Sequence, residues 1–281
     1  MHLFMILVSL ELAWLLRLSW SGPTGSWADR SSRALSLFLF PPLLLMMTGL
    51  AVLCMGPQGR MIGVSAGWFS YLLAISFLGL AGIKCIQLGW QGWRSLRQIR
   101  NYPPLSLGDR PGRVLDIPIL FAALVGFWQP ELVVSQGLLN TLTPEHLDAV
   151  VAHEQAHYYY RDTFWFFWLG WVRSCTAWLP NTENLWQELL VLRELRADRW
   201  AAQRVDPLLL AESLLMVMSA PNLMLSEIYA AFSEVAQKNR LEERIEALLA
   251  EPDPLKSQVD WSWTCWLFLV SLPLAAVPFH T

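Results

Sequence analysis

The sequence predicts a mainly helical, multi-pass membrane protein, and three observations lead there. Of its 281 residues, 54% are hydrophobic and only 15% charged, whereas a soluble domain carries about a quarter of its residues as charges. Sixteen tryptophans are present, and indole rings concentrate at bilayer interfaces, where one edge is apolar and the other wet. Four apolar stretches, at 3–20, 34–55, 66–90 and 261–279, approach the roughly 20 residues that carry a helix across hydrocarbon. A lipid bilayer is therefore the expected surrounding. The net charge of −3 gives no reason to expect direct nucleic-acid binding.

Each stretch has its irregularities. The first carries Glu11 and Arg17. It lacks a basic leader and a small-residue cleavage site, so it reads as a retained helix rather than a signal peptide. Glu11 lies mid-span, where an unpaired charge is costly; pairing with Arg173 or lining the cleft would relieve it, as would protonation or an interface-facing position. In the second stretch, Pro41-Pro42 should kink or break the helix. The third ends near Lys84, which can snorkel to the interface.

Arginine placement sets the orientation. Arg94, Arg97, Arg100, Arg110 and Arg113 follow the third stretch, Arg30 and Arg33 lie in the first loop, and the second loop offers only Arg60. By the positive-inside rule the N-terminus is outside and the region after the third stretch is cytoplasmic. The expected organisation is an N-terminal membrane region at 1–92 with three transmembrane helices, a cytoplasmic domain at 93–260 and a C-terminal transmembrane helix at 261–281, all at the cell membrane.

Within the cytoplasmic domain, 101–113 is rich in proline and glycine and reads as a linker. The β-branched and aromatic run 114–136, interrupted at Gly126 and Pro130, suits two short strands. Thr143-Pro144-Glu145 is a helix start, with a hydroxyl cap, proline at the first helical position and an acid in the first turn. That helix should run over 144–161. Residues 163–180, dense in tryptophan and phenylalanine with Arg173 in the middle, suit a membrane-associated segment that does not span fully. The aromatics Tyr158–Tyr160 and Phe164–Trp168 fit interfacial anchoring better than substrate binding. Cys54, Cys85, Cys175 and Cys265 form no CxxC pair and read as apolar packing residues.

The helix over 144–161 carries His153-Glu154-Gln155-Ala156-His157. Positions four apart share a helix face, so both imidazoles can point at one metal ion. Neutral imidazole suits zinc, and a catalytic zinc site keeps one position open for water. Glu154, adjacent to the first histidine, is placed to act as general base on that water. With only five histidines in the chain, a chance HExxH is rare; the bland alternative is a surface helix bearing two unrelated histidines. Leu147, Val150 and Val151 give this helix an apolar stripe. His146 and His280 have no ligand spacing.

A third protein ligand is needed. The helix expected over 186–204 holds Glu194 and Asp198, four apart and on one face. Glu194 is the expected ligand and Asp198 the carboxylate behind a ligating histidine. Glu188 competes but has no acid four residues on. Asp162, five residues after His157, either buttresses that histidine or is a plain acid beyond the helix end.

With these residues in hand, the sequence resembles the BlaR/MecR-type membrane zinc metallopeptidases, and more distantly HtpX-like and CAAX-prenyl proteases. The resemblance covers roughly 105–250 and rests on Gly126–Ser135 with Pro130, on LDAVVAHEQAHYYYRD, on ELRAD at 194–198 and on RLEERIEALL at 240–249. It implies a helical zinc domain with a small sheet, clasped by transmembrane helices. It implies Zn2+ held by His153, His157 and Glu194, with Glu154 as base and Asp198 behind. It further implies a substrate strand added along the sheet edge near 125–135, and a catalytic role near the cleft for Arg244. The competing reading of Arg244 is a surface residue paired with Glu242 or Glu243. The sequence stops at Thr281 with no C-terminal penicillin-sensor domain, which argues against β-lactam sensing.

The expected activity is that of a zinc endopeptidase cutting a cytoplasmic or membrane-proximal protein. An alternative is a signalling protease that cleaves a transcriptional repressor. A non-catalytic scaffold is disfavoured by the intact Glu154. A homodimer is compatible with the sequence.

Overall fold

The computed structural model describes residues 2–58, 60–61, 64–65, 67–107, 110–219, 241–250 and 268–279. The chain forms two compact units: unit 1 comprises Met1–Leu88, Trp168–Leu190 and Pro254–Thr281, and unit 2 comprises Gly89–Phe167 and Val191–Asp253.

Unit 1 contains α1 (His2–Leu18) and α2 (Trp27–Met55), followed by a short hairpin of β1 (Arg60–Met61) and β2 (Val64–Ser65), then most of α3 (Trp68–Ile99). A reciprocal capping box between Ser26 and Asp29 starts α2. Contrary to expectation, α2 runs unbroken through Pro41-Pro42. Pro42 has no N–H for the carbonyl of Phe38 four residues back, and the Arg17 Nη2 donates to that carbonyl instead, at 3.1 Å. Burial of Phe38, Pro41 and Pro42 in the helix contact holds the segment in place.

Among the described residues, two helices, α2 and α3, are long and apolar enough to cross a membrane. At 17 residues α1 falls just short of them. The described part of the 261–279 stretch passes from one α-helical turn into a 3-10 helix, Leu272–Phe279; its first seven residues lie outside the described set. The 163–180 region forms α6 (Asp162–Cys175), whose 14 residues are too few to span. Arg173 does not reach for Glu11: its guanidinium bonds Glu183, 2.6 Å away at the surface.

Unit 2 is built on a four-stranded mixed sheet in the order β3-β4-β6-β5, with β3 (Pro104–Leu107), β4 (Arg110–Leu115), β5 (Ala122–Val125) and β6 (Glu131–Ser135). The linker expected at 101–113 is instead the β3–β4 hairpin. Proline and glycine suggested a linker because they punctuate chains, yet each has a place here. Pro104 opens an edge strand, and Pro111 precedes the β4–β6 ladder, which begins at Gly112. Gly112 also permits close approach, since a Cβ there would lie 3.1 Å from the Leu132 carbonyl oxygen. The two strands expected within 114–136 are β5 and β6, separated where Gly126 adopts φ +132°.

After the sheet come α4 (Gln136–Thr141), α5 (Pro144–Tyr159), α7 (Thr182–Ala201, within unit 2 from Val191), α8 (Pro207–Ser219) and a helix at 241–249. Helix α5 is clamped on two sides. Val150, with Leu147 and Val151, joins Leu132, Val134, Leu138 and Leu142 in the core against the sheet. Ala149 and Ala152 meet Ala201, Leu210 and Leu214 on the other side. Alanines there let the helices approach closely, and apolar burial of this kind contributes about 25 cal/mol per Å2 removed from water.

The join between sheet and helices is equally tight at Gly137, whose N–H bonds the Ile117 carbonyl at 3.0 Å. A Cβ on Gly137 would sit 2.1 Å from the Pro118 carbonyl oxygen. Gly137→Ala should therefore destabilise unit 2 by about 1–3 kcal/mol or more, measured as a lowered thermal midpoint. An unchanged midpoint would mean the α4 start tolerates displacement that the packing forbids.

Candidate metal centre

The α5 start is built as its sequence requires: Thr143 caps it, with Oγ1 accepting from the His146 N–H at 3.5 Å, and Pro144 occupies the first turn. Three turns on, His153 and His157 project from one face and are both buried. Their Nε2 atoms face each other at 3.1 Å. On α7, Glu194 brings Oε2 to 3.3 Å from His153 Nε2 and Oε1 to 3.7 Å from His157 Nε2.

The ligand atoms of His153, His157 and Glu194 all lie within 4.8 Å of one another. Two imidazole nitrogens and a carboxylate oxygen aimed at one point make a good donor set for a cation. Ligands at 2.0–2.1 Å around a tetrahedral zinc stand about 3.3 Å apart, close to the separations seen. The donor set and these separations thus fit zinc.

Each histidine is backed at Nδ1. His157 Nδ1 donates to Asp162 Oδ2 at 2.7 Å, and His153 Nδ1 lies 2.8 Å from Asp198 Oδ1. With the proton on Nδ1, the Nε2 lone pair is left for a metal. Asp162 is buried and its other oxygen accepts from Arg196 Nη2. Of the two roles the sequence allows it, this position behind His157 agrees with the buttressing one.

Arg244 is buried rather than on a helix surface. It grips Asp198 with two charge-assisted bonds, Nε to Oδ2 at 2.7 Å and Nη2 to Oδ1 at 2.8 Å, and its Nη1 lies 3.4 Å from Glu194 Oε2. Glu188, the competing ligand, is elsewhere: it pairs with Arg30 at 2.7 Å in unit 1. Glu154 is half-buried; among the described residues its carboxylate makes no hydrogen bond or ion pair, though it lies near enough to Arg244 to act on that guanidinium through its charge. Arg193 and Arg196 were not singled out by sequence; in an arginine-rich helix, nothing in their spacing distinguishes them. Arg193 donates twice to Glu194 Oε1, at 2.9 and 2.7 Å.

Charge balance follows from these contacts. Burial opposes ionisation throughout. For His153 the carboxylates of Asp198 and Glu194 outweigh it and raise its pKa to about 9. For Glu194 the His153 bond and the charges of Arg193 and Arg244 outweigh it, holding the carboxyl well below the usual range. Asp198 is likewise lowered against its burial by Arg244 and His153.

The expected substrate-binding edge narrows. Strand β6 is flanked on both sides, by β4 and β5, so it has no free edge; among the described residues β5 is paired on one side only, with β6. Strand β5 also lies against α5.

A helix presenting two histidines and an adjacent glutamate, completed by a carboxylate from a second helix, is the plan of a metallopeptidase. Residues 113–248, just under half of the chain, match the model of peptidase family M48. This stretch is thus similar to peptidase family M48, and the match agrees with the resemblance to membrane metallopeptidases drawn from the sequence. No curated protein and no solved structure matches the chain.

The raised His153 pKa has a measurable sign. A metal needs the neutral ring, so it must displace a proton below about 9. Zinc affinity should weaken about tenfold for each pH unit lowered from 8 to 6, read by chelator competition. The metal-free protein should show the opposite linkage. Protonated His153 stabilises it below the ordinary pKa of about 6.5, and this is lost as pH rises through about 9. A pH-independent affinity would contradict the assignment.

Proposed function

We propose that this protein is an integral membrane zinc endopeptidase that hydrolyses peptide bonds of a cytoplasmic or membrane-proximal protein. The observation that carries the reading is the convergence of His153, His157 and Glu194, with Glu154 next to His153 on the same helix.

Zinc held by the three ligands would polarise the scissile carbonyl and lower the pKa of a water molecule towards neutrality. The chain's own residues account for the remainder. The Glu154 carboxylate takes a proton from the attacking water as its oxygen bonds to the carbonyl carbon. It returns that proton to the departing amide nitrogen as the C–N bond breaks, so the base is regenerated. Asp162 and Asp198 keep the proton of each imidazole on Nδ1. Arg244 keeps Asp198 anionic and acts through it, which supports a positioning role rather than contact with substrate. The free side of β5 offers backbone groups to an extended substrate, which would fix the scissile bond alongside α5.

Membrane insertion through α2 and α3 is supported by their length and by the exposed apolar side chains of α3, among them Trp68, Phe69, Leu80 and Ile86. The arginines after the third stretch favour a cytoplasmic metallopeptidase unit.

The test uses the full chain in detergent with an unfolded protein as substrate. Glu154→Gln should keep zinc at wild-type stoichiometry and lose cleavage by roughly 100-fold or more. Glu194→Ala should lose zinc. Cleavage by Glu154→Gln at the wild-type rate, or full zinc retention by Glu194→Ala, would defeat the reading.

A further inference from the structure

His153 and His157 are backed by the same chemical device, assembled from different elements of unit 2. Behind His153 stands Asp198 from α7, held by both Nε and Nη2 of Arg244 from the 241–249 helix. Behind His157 stands Asp162 from the start of α6, with Oδ2 on the histidine and Oδ1 accepting from Arg196 of α7. Helix α7 therefore supplies the aspartate of one pair and the arginine of the other, and Glu194 between them in space.

Asp162 is 2% exposed. A carboxylate so enclosed stays ionised only with hydrogen bonds and a nearby cation. Its two oxygens are divided between His157 and Arg196, so neither partner can be replaced by the other. Arg196 is itself fixed at a second point, its guanidinium carbon lying 4.2 Å from the centroid of the Tyr160 ring. A simple tie between α6 and α7 would need the Asp162–Arg196 pair alone. The remaining oxygen on His157 Nδ1 links that tie to the orientation and tautomer of a ligand ring.

We infer that Arg196 is a positioning residue of the metal centre, holding His157 through Asp162 so that Nε2 points at the metal. It touches neither metal nor substrate. This rests on the zinc reading above. Loss of Arg196 leaves the Asp162 carboxylate buried without its cation and able to turn away, releasing the ring.

The experiment measures zinc affinity of the full chain in detergent by chelator competition, together with the visible spectrum of the cobalt-substituted protein. Arg196→Met and Asp162→Asn should each weaken zinc roughly 10–100-fold and alter the cobalt bands. Because Arg196 acts through Asp162, the double variant should be no weaker than Asp162→Asn alone. Arg196→Lys, which keeps the charge but not the planar fork, should recover part of the loss. Arg204→Met, which removes a guanidinium stacked on Trp200 away from the ligands, should bind zinc as wild type does. Should Arg196→Met not fold, Arg196→Gln, with a donor but no charge, carries the same comparison.

Wild-type affinity and cobalt spectrum in the Arg196 variant would overturn the inference, as would a double variant whose losses add. So would a lowered thermal midpoint of the metal-free protein with metal affinity unchanged, since that marks a structural tie only. A wild-type protein that binds no zinc would instead overturn the zinc reading itself.

Discussion

Everything in unit 2 depends on bringing two imidazole nitrogens and a carboxylate oxygen together in one buried place. Such a cluster is not its own cause; it is imposed by the packing around it. Val150 against the sheet and Ala149 and Ala152 against α7 and α8 fix the rotation of α5, and rotation decides where His153 and His157 point. Glu194 is carried in on α7, whose Ala197 and Ala201 are fully buried. The apolar core thus sets positions, and the arginines Arg193, Arg196 and Arg244 bond Glu194, Asp162 and Asp198 respectively. Each cation bonds a carboxylate rather than occupying the metal position, which lets the cluster remain open to a cation of higher charge.

Much of this was legible before any coordinates, because helix geometry is local. The i, i+4 spacing of His153 and His157, the same spacing of Glu194 and Asp198, and the Thr143-Pro144 start each state a geometry that three or four residues determine alone. What was not legible is what depends on residues distant in sequence. Arg244 and Asp198 are 46 positions apart, and Arg196 reaches Asp162 across 34. Single-sequence spacing has nothing to say at such separations, so Arg196 passed as one more charge on an arginine-rich face.

The misread segments share a physical cause: proline and glycine were weighed by local habit alone. At 101–113 they suggested a linker, but partner strands gave each a use in the β3–β4 hairpin. At Pro41-Pro42 they suggested a break, but Arg17, from another helix, took the carbonyl that Pro42 could not serve. In both places tertiary partners satisfied backbone groups that the local sequence left open. Arg17 shows the same logic within the apolar surroundings of unit 1: its Nη1 bonds Thr182 and its backbone carbonyl accepts from Asn181, so one buried cation ties α1, α2 and the beginning of α7.

The central claim is that His153, His157 and Glu194 form a zinc site. X-ray absorption at the zinc edge of the purified chain tests it most directly. The account predicts a first shell of nitrogen and oxygen at about 2.0–2.1 Å with outer scattering from two imidazole rings. A shell containing sulfur at about 2.3 Å, or one without imidazole scattering, would contradict it.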